Sequence, residues 1–406
     1  MNIIENAGAA PSLQGYDAIV IGAGFAGGVV ARELAERAGK KVAIIESRNH
    51  IGGNAYDKLD DAGVLIHAYG PHIFHTNDAR AYEYLSRFTE WLDYQHEVLA
   101  NLNGTYIPVP FNKNSIEKVF DADKAKSYID KLIATFGDER KVPIIELREK
   151  DDPELSEIAD FVYKNVFLYY TQKQWGLTPE EVDPSVTARV PVFISRDNRY
   201  FQDKYQGMPL DGYTKMFENM LDHPGIDIYL GVDGRDALEF VDAGEGKTVV
   251  NVNGDDGARA PYKGTIVYTG AIDELFANRF GRLPYRSLDF VYETYQQKHW
   301  QPCGTVNYTV SEDYTRITEF TYMTGQDLEV TTIMKEYSHA YEAKDGQIPY
   351  YAIISDENQA HYQQYKDLAD GIDDFHLIGR LAEYKYYNMD AIVSRALDLA
   401  DELCGR

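Results

Sequence analysis

From residue 16 the chain opens on a short, mostly apolar run and a glycine turn. Tyr16–Ile21 (YDAIVI) reads as a strand buried on both faces, and it runs directly into GAGFAGG at residues 22–28. VVARELAERAG then places apolar residues at helical spacing and stops at Gly39, and KVAIIE is a second apolar strand ending at Glu46. Strand, helix and strand within about 30 residues form a βαβ unit with a parallel crossover. Polar, aromatic-rich sequence follows to about Phe111. From about Asn114 to Ser185 the period becomes helical: IEKVF, KAKSYIDKLIATFG and ELSEIADFVYKNVFLYYTQKQWG carry apolar residues at i, i+3 and i+4 with Lys and Glu between them. This stretch predicts an inserted helical domain.

Asp183–Pro209 holds Pro184, Pro191 and Pro209 with little periodicity, which predicts an extended loop. IDIYLG and TIVYTG return to strand character. From about Leu288 to Ile354, Tyr-, Thr- and Val-rich segments such as FVYETY, TVNYTV and TRITEF predict an antiparallel sheet. The closing HLIGRLAEYKYYNMDAIVSRALDLADEL reads as strand, loop and amphipathic helix. The expected fold class is therefore α/β: a dinucleotide-binding Rossmann-like domain built from residues 16–95, 206–275 and 360–406, an inserted helical bundle at 111–205 with a mobile loop near 183–205, and an antiparallel sheet domain from 96–110 and 276–359. Residues 1–15 read as a loose polar leader, without the basic and apolar regions of a signal peptide.

Composition narrows the partners. The chain has 406 residues, 65 Asp+Glu against 40 Lys+Arg, and a formal net charge of −25. Nucleic acid and anionic membrane both demand clustered Lys and Arg, so neither is expected. The longest apolar uncharged run, Ala18 to Ala31, contains four glycines and falls short of the ~20 residues that span a bilayer. Two cysteines, Cys303 and Cys404, cannot build a disulfide framework or a thiolate zinc site, and they read as reduced thiols of a cytoplasmic protein.

Candidate chemistry begins at Gly22-Ala23-Gly24-Phe25-Ala26-Gly27, a GxGxxG between strand and helix. The first glycine permits the tight turn, the second admits a pyrophosphate against the backbone, and the third packs helix on strand; the helix N-terminus supplies amide donors. Glu46, ending the next strand, suits a ribose hydroxyl and disfavours a 2′-phosphate. Ser47, Arg48, Gly52, Gly53 and Asn54 follow at once, and Gly270 and Gly379-Arg380 end later strands. Together these turns favour an extended two-nucleotide cofactor such as FAD over a simple nicotinamide dehydrogenase. An ordinary glycine turn without ligand is the alternative at each.

GAGFAGGVVARELAERAGKKVAIIESRNHIGGNAYD, YGPHIFHTN, YYTQKQWG, YQGMPLDGYTKMFENML, VYTGAIDELF, KEYSHAYE and GRLAEYKYYNMD, in that order, resemble the UDP-galactopyranose mutase family. The resemblance implies an FAD-bound isomerase, usually a cytoplasmic homodimer, that interconverts UDP-galactopyranose and UDP-galactofuranose for surface-glycan synthesis. It further implies that the flavin must be reduced, by NAD(P)H or another reductant, and that its N5 forms a covalent adduct with the sugar with no net redox change.

Residue by residue, the resemblance makes Arg189, in TARVPV, the mobile-loop arginine that closes on the diphosphate, and Arg316, in YTRITE, its partner; paired guanidiniums suit that group. It puts Tyr170, Trp175, Tyr200, Phe201, Tyr351 and Tyr386 around uridine and diphosphate. His75 is implied to lie by the flavin and to favour its reduced form, with His72 and Ile73 also in contact. Asn388-Met389-Asp390 is expected to cap the isoalloxazine with backbone donors, and Tyr387 to contact the cofactor as well. No metal is expected, although His72 and His75 form an HxxH pair. His96 stands where better-known bacterial members carry asparagine, and Asn388, also expected to face substrate, stands where many carry aspartate. Two readings compete with this one: an amine-oxidase-like or carotenoid-type FAD oxidoreductase, and a non-catalytic flavin-binding scaffold.

Overall fold

A computed structural model describes residues 1–5, 11–176, 191–244, 247–310 and 312–405. Its centre is a parallel sheet whose described strands run in the order Asn2–Glu5, Ile226–Leu230, Val42–Glu46, Ala18–Ile21, Thr265–Tyr268 and Phe375–Leu377. Side chains alternate across it as the strand period requires. Ala18, Val20, Ile44 and Val267 face a core shared with helices Phe25–Ala38, Tyr213–Leu221 and Met389–Cys404. Ile19, Ile21, Ile45 and Ile266 face a second core, closed by helix Asp356–Asp370 and the meander beginning at Glu239–Gly244. Both faces are covered, which explains why these strands read as apolar runs rather than alternations. Helix Phe25–Ala38 ends as expected on Gly39, left-handed at φ 63°, with its amide turned back to the Leu34 carbonyl.

The helical insert, Lys113–Val119 through Tyr169–Trp175, packs its apolar stripe on the hairpin Val98–Leu102 and Thr105–Val109. Pro153–Val162 passes into a π-helical turn, Tyr163–Leu168, before Tyr169–Trp175. Such a turn re-aims the side chains beyond it and recurs at functional sites. The second large sheet runs in the order Tyr351–Ala352, Tyr285–Tyr295, Thr331–Ala340, Arg316–Glu319, Thr305–Tyr308, Val98–Leu102 and Thr105–Val109.

Several expectations are corrected here. The second sheet is mixed, because Val98–Leu102 pairs in parallel with Thr305–Tyr308; the two arrive from distant parts of the chain, so no hairpin dictates their direction. The leader is not loose at its start, since Asn2–Glu5 pairs with Ile226–Leu230 as an edge strand. Within the expected mobile loop, residues 177–190 lie outside the described residues, but the chain from residue 191 onward is held: Val192–Phe193 pairs with Lys141–Val142, and the Tyr200 amide donates to the His96 carbonyl at 2.7 Å. Strand Tyr205–Pro209 then pairs with Phe74–Thr76 on one side and Trp91–Leu92 on the other. Among the described residues no helix is long and apolar enough to cross a membrane.

Candidate active site

The glycine turn leaves strand Ala18–Ile21 and enters the 14-residue helix Phe25–Ala38, whose N-cap, Gly24, makes no side-chain cap and whose first turn holds no acidic residue. Its leading amides and positive dipole end are therefore left for an anion. Gly22 has φ +107° and Gly53 φ +56°, backbone that L side chains rarely adopt. A Cβ on Gly53 would come within 2.9 Å of Gly24 Cα, so the two glycine loops close on each other as bare backbone. The Gly52 amide completes the junction by donating to the Ala23 carbonyl at 2.9 Å.

Glu46 stands at the end of its strand and ties these loops together. Its Oε2 accepts from the Ala23 amide at 2.9 Å and its Oε1 from the Arg48 amide at 2.9 Å. Arg48 lies over the Tyr69 ring, 4.2 Å from its centroid, and Nη2 donates to Asn54 Oδ1 at 2.8 Å. Arg48 Nη1 is buried and has no partner among the described residues, a donor that suits a ligand acceptor.

These groups line a cavity of about 910 Å³ that runs from Asp233, Arg235 and Tyr268 past Gly22, Gly24, Phe25, Ala26, Ser47, Gly52 and Gly53 to His72, Gly270, Gly379, Arg380, Tyr387, Asn388 and Met389. Its length, its bare glycine cradle and the buried Arg48 donor fit a dinucleotide such as FAD. Two residues expected on it do not line it. Gly27 packs instead: a Cβ there would overlap the Gly22 carbonyl oxygen and stand 2.9 Å from Val20 Cγ1. Ile73 turns into the apolar core. His72 does line the cavity; its Nδ1 is 2.8 Å from the Gly70 carbonyl, and burial pulls its pKa down to about 3, so the ring is neutral.

Beside this cavity lies a cleft of aromatic rings around the half-buried Arg316. Arg316 Nη2 is 3.2 Å from Oε1 of Glu336, which is fully buried. Burial works against the guanidinium's charge, but Glu336 and the phenols of Tyr170, Tyr351 and Tyr200 outweigh it and hold Arg316 above its ordinary value. Its Nε is buried and has no partner among the described residues. Trp175 and Tyr351 lie 5.9 Å apart between centroids, and Tyr351 stacks on Tyr386 at 6.1 Å. Arg380, which also lines the large cavity, sits over both tyrosines at 5.2 and 5.1 Å, so cavity and cleft share a wall. Burial pushes Tyr351 up to about 12, with Glu336 and Tyr386 adding to it.

On the other side of Arg316 is a second aromatic group. His75 stacks on Phe201 at 3.5 Å, and its Nδ1 is 2.9 Å from Asp203. His96 packs on Phe201 and Tyr200 at 5.8 and 5.9 Å, with Nδ1 3.0 Å from the Tyr94 hydroxyl. Burial pulls its pKa down to about 3, Arg316 and His75 reinforcing the effect. His75, expected by the flavin, does not line the large cavity and stacks in this second group, where its strand pairs Gln206 opposite it and carries its ring toward Phe201. Arg189 lies outside the described residues. Asn388 lines the large cavity and forms the N-cap of helix Met389–Cys404 without using its side chain as a cap.

Residue reading missed Glu336, Asp203, Tyr69 and Tyr94. The first lay within KEYSHAYE and was assigned no role; Asp203 and Tyr69 have no local signal, since their partners His75 and Arg48 are 128 and 21 residues away, whereas Tyr94 lies two residues before its partner His96 and was simply assigned no role. Among the described residues no group of three His, Cys, Asp or Glu is placed to hold a metal.

Comparison with known proteins adds to this geometry. The family model described as UDP-galactopyranose mutase matches residues 165–386, and one for an NAD(P)-binding Rossmann-like domain matches residues 20–88. The chain is 35% identical over 397 residues to the UDP-galactopyranose mutase of Mycoplasma pneumoniae, covering 96% of each chain. It is 37% identical over 387 residues to a probable UDP-galactopyranose mutase of Klebsiella pneumoniae (95% of this chain, 94% of that one), and 34% identical over 386 residues to the dTDP-fucopyranose mutase of Escherichia coli (94% and 97%). A crystal structure of reduced UDP-galactopyranose mutase shares the fold with a TM-score of 0.69 at 15% identity, covering 97% of this chain and 94% of that one.

Proposed function

The chain belongs to the UDP-galactopyranose mutase family, and on that premise we propose that it interconverts UDP-galactopyranose and UDP-galactofuranose with reduced FAD held in the 910 Å³ cavity. The observation that carries this reading is the shared wall: Arg380 borders the dinucleotide cavity and at the same time stacks on Tyr351 and Tyr386 of the cleft around Arg316. A nucleotide sugar bound to Arg316 thereby lies next to the cofactor.

When bound and reduced, the flavin supplies the nucleophile, through N5, that a ring contraction without net redox change requires. The chain's own residues bind and orient. The Gly22–Gly24 turn and the uncapped helix start take the cofactor's pyrophosphate, Glu46 its ribose, and Arg48 Nη1 an acceptor of the cofactor. Arg316, held in place by Glu336, takes the substrate's diphosphate and stabilises it as leaving group, with an Nε that has no partner among the described residues. Tyr170, Trp175, Tyr351 and Tyr386 exclude water and offer faces and hydroxyls to base and phosphate, while Tyr200, Phe201 and His96 close the far side. Arg189 enters this reading by resemblance as the second diphosphate cation. A homodimer and a cytoplasmic setting are implied by the resemblance too, and sedimentation tests the first.

The test is turnover of UDP-galactofuranose by flavin-loaded protein, with and without dithionite, beside the corresponding dTDP-fucose pair. Turnover of the UDP sugar only after reduction supports the proposal. Preference for the dTDP sugar would move the chain to the other activity named among its relatives, and stoichiometric consumption of NAD(P)H would make it an oxidoreductase.

A further inference from the structure

Tyr170 and Trp175 project from a helix of only seven residues, Tyr169–Trp175, which follows the π-helical turn and ends on Gly176. A helix that short has little stability of its own, and its final carbonyls lack partners inside it. Arg286 supplies what is missing. Arg286 donates Nε to the Gln174 carbonyl at 3.0 Å and Nη2 to the Lys173 carbonyl at 3.2 Å, tying the helix end to strand Tyr285–Tyr295.

Lys173 reaches the opposite way. Its Nζ donates to the carbonyls of Tyr308, Glu312 and Tyr314 at 2.5, 2.9 and 3.1 Å. An ammonium has three donors, and all three are used. Among the described residues no carboxylate is within ion-pair distance of it; the carbonyls take its three N–H groups, while Glu312 and Asp313 act on its charge from farther off. The segment it grips leads within two residues to Arg316. The same segment is pinned at the π-turn, where Thr309 Oγ1 donates to the Asn165 carbonyl at 2.6 Å.

We propose that Lys173 is a positioning residue: by clamping helix Tyr169–Trp175 to the 308–314 segment it sets the separation between the Tyr170 and Trp175 rings and the Arg316 guanidinium. The proposal rests on the nucleotide-sugar reading of the cleft. Ring and cation come from elements far apart in sequence, and a nucleoside diphosphate must touch both at once. A drift of about 1 Å between them is enough to stretch a hydrogen bond of about 2.9 Å past its useful range. The clamp touches neither cofactor nor substrate, so its loss is felt in nucleotide affinity and not in flavin retention.

The experiment is calorimetric titration of UDP into oxidised, flavin-loaded Lys173→Met, with amide hydrogen exchange on the same protein. The expected result is a UDP dissociation constant raised at least about tenfold, the equivalent of about 1.4 kcal/mol, at unchanged flavin content and visible spectrum. Exchange is expected to quicken together in residues 163–176 and 308–316. Lys173→Arg, which keeps the charge and some donors, is expected to recover part of the affinity, and a purely stabilising role would not separate the two variants this way. UDP affinity within twofold of wild type in a Lys173→Met protein that keeps its flavin overturns the proposal. Should Lys173→Met not fold, Thr309→Val removes the second tether alone and is expected to weaken UDP in the same direction; no change there overturns the proposal equally. If wild type itself binds no UDP, the nucleotide reading has failed, and the clamp is judged by exchange: unchanged protection in both segments refutes it.

Discussion

Replacing Gly27 by alanine tests the cofactor cradle from behind. Gly27 does not line the cavity; it is where helix Phe25–Ala38 crosses the glycine turn, and an added Cβ would overlap the Gly22 carbonyl oxygen with Val20 Cγ1 at 2.9 Å on its other side. Backbone on one side and a buried branched side chain on the other leave little room to yield. Ordinary carbon contacts sit at about 3.5–4.0 Å, so the helix start must retreat by roughly 1 Å. Overpacking of this kind costs about 1–3 kcal/mol of stability. The larger effect falls on the ligand: the leading amides move out of hydrogen-bond range of the pyrophosphate. Two charged-acceptor hydrogen bonds at about 1.5–3 kcal/mol each amount to roughly 3–6 kcal/mol, or about 100-fold to 10⁴-fold in flavin affinity. The assay is flavin content after purification, the ratio of flavin to protein absorbance, beside the melting temperature. Gly39→Ala is the matched control: nothing lies within 4 Å of its Cβ, but its φ of +63° makes the change cost about 1 kcal/mol without touching the cavity. A Gly27→Ala protein that purifies with full flavin and melts like wild type refutes the argument.

Three further outcomes are expected from the same geometry. Burial depresses His67 to about 4 and His72 and His96 to about 3, below an unfolded value of about 6.5. The unfolded chain then binds more protons, so stability is full above pH ~6.5 and falls as pH drops toward these values, by up to ~1.4 kcal/mol per pH unit for each ring; buried Asp57 and Asp273, held above the ordinary carboxylate value, act in the opposite sense at lower pH. Denaturant titrations between pH 7 and 5 should show that slope, and His96→Asn should remove about one ring's share of it; an unaltered slope counts against a buried neutral His96. Asn388→Asp should raise stability by about 0.5–1 kcal/mol, as a charged N-cap on helix Met389–Cys404, while weakening UDP binding through its added negative charge; tighter UDP by calorimetry would sink that reading. Arg48→Met should weaken flavin by about tenfold or more and lower the free protein's stability by about 1 kcal/mol, because the Nη2 hydrogen bond to Asn54 and the contact with the Tyr69 ring go with it; equal flavin affinity contradicts its assignment to the cofactor.

Some of this architecture was legible because local chemistry declares it. A strand that ends in glycine, an uncapped helix start and an acid at the next strand's end are properties of consecutive residues, and GAGFAGG with Glu46 reads the same on paper as in space. Helix Asp356–Asp370 stayed illegible for a local reason as well. DENQAHYQQYKDLAD has few aliphatic residues, and the residues it buries are Tyr362, Tyr365 and Ala369, so tyrosine does the work that leucine usually does. The heavy use of tyrosine belongs partly to such cores and partly to the cleft, and counting cannot separate the two.

The net charge of −25 similarly described the outer surface and said nothing of Arg316, which pairs with Glu336 within the cleft. Sequence by itself determined the βαβ unit, the phosphate loop and the helical insert, since turn chemistry and hydrophobic period act over a few residues. Only tertiary structure decided which groups meet: Arg316 with Glu336 across neighbouring strands, His75 with Asp203 and Phe201, Val98–Leu102 parallel to Thr305–Tyr308, and Lys173 against three carbonyls of a loop 135 to 141 residues away. Those meetings depend on sheet order and on charges desolvated together, and neither is encoded in any short window of the chain.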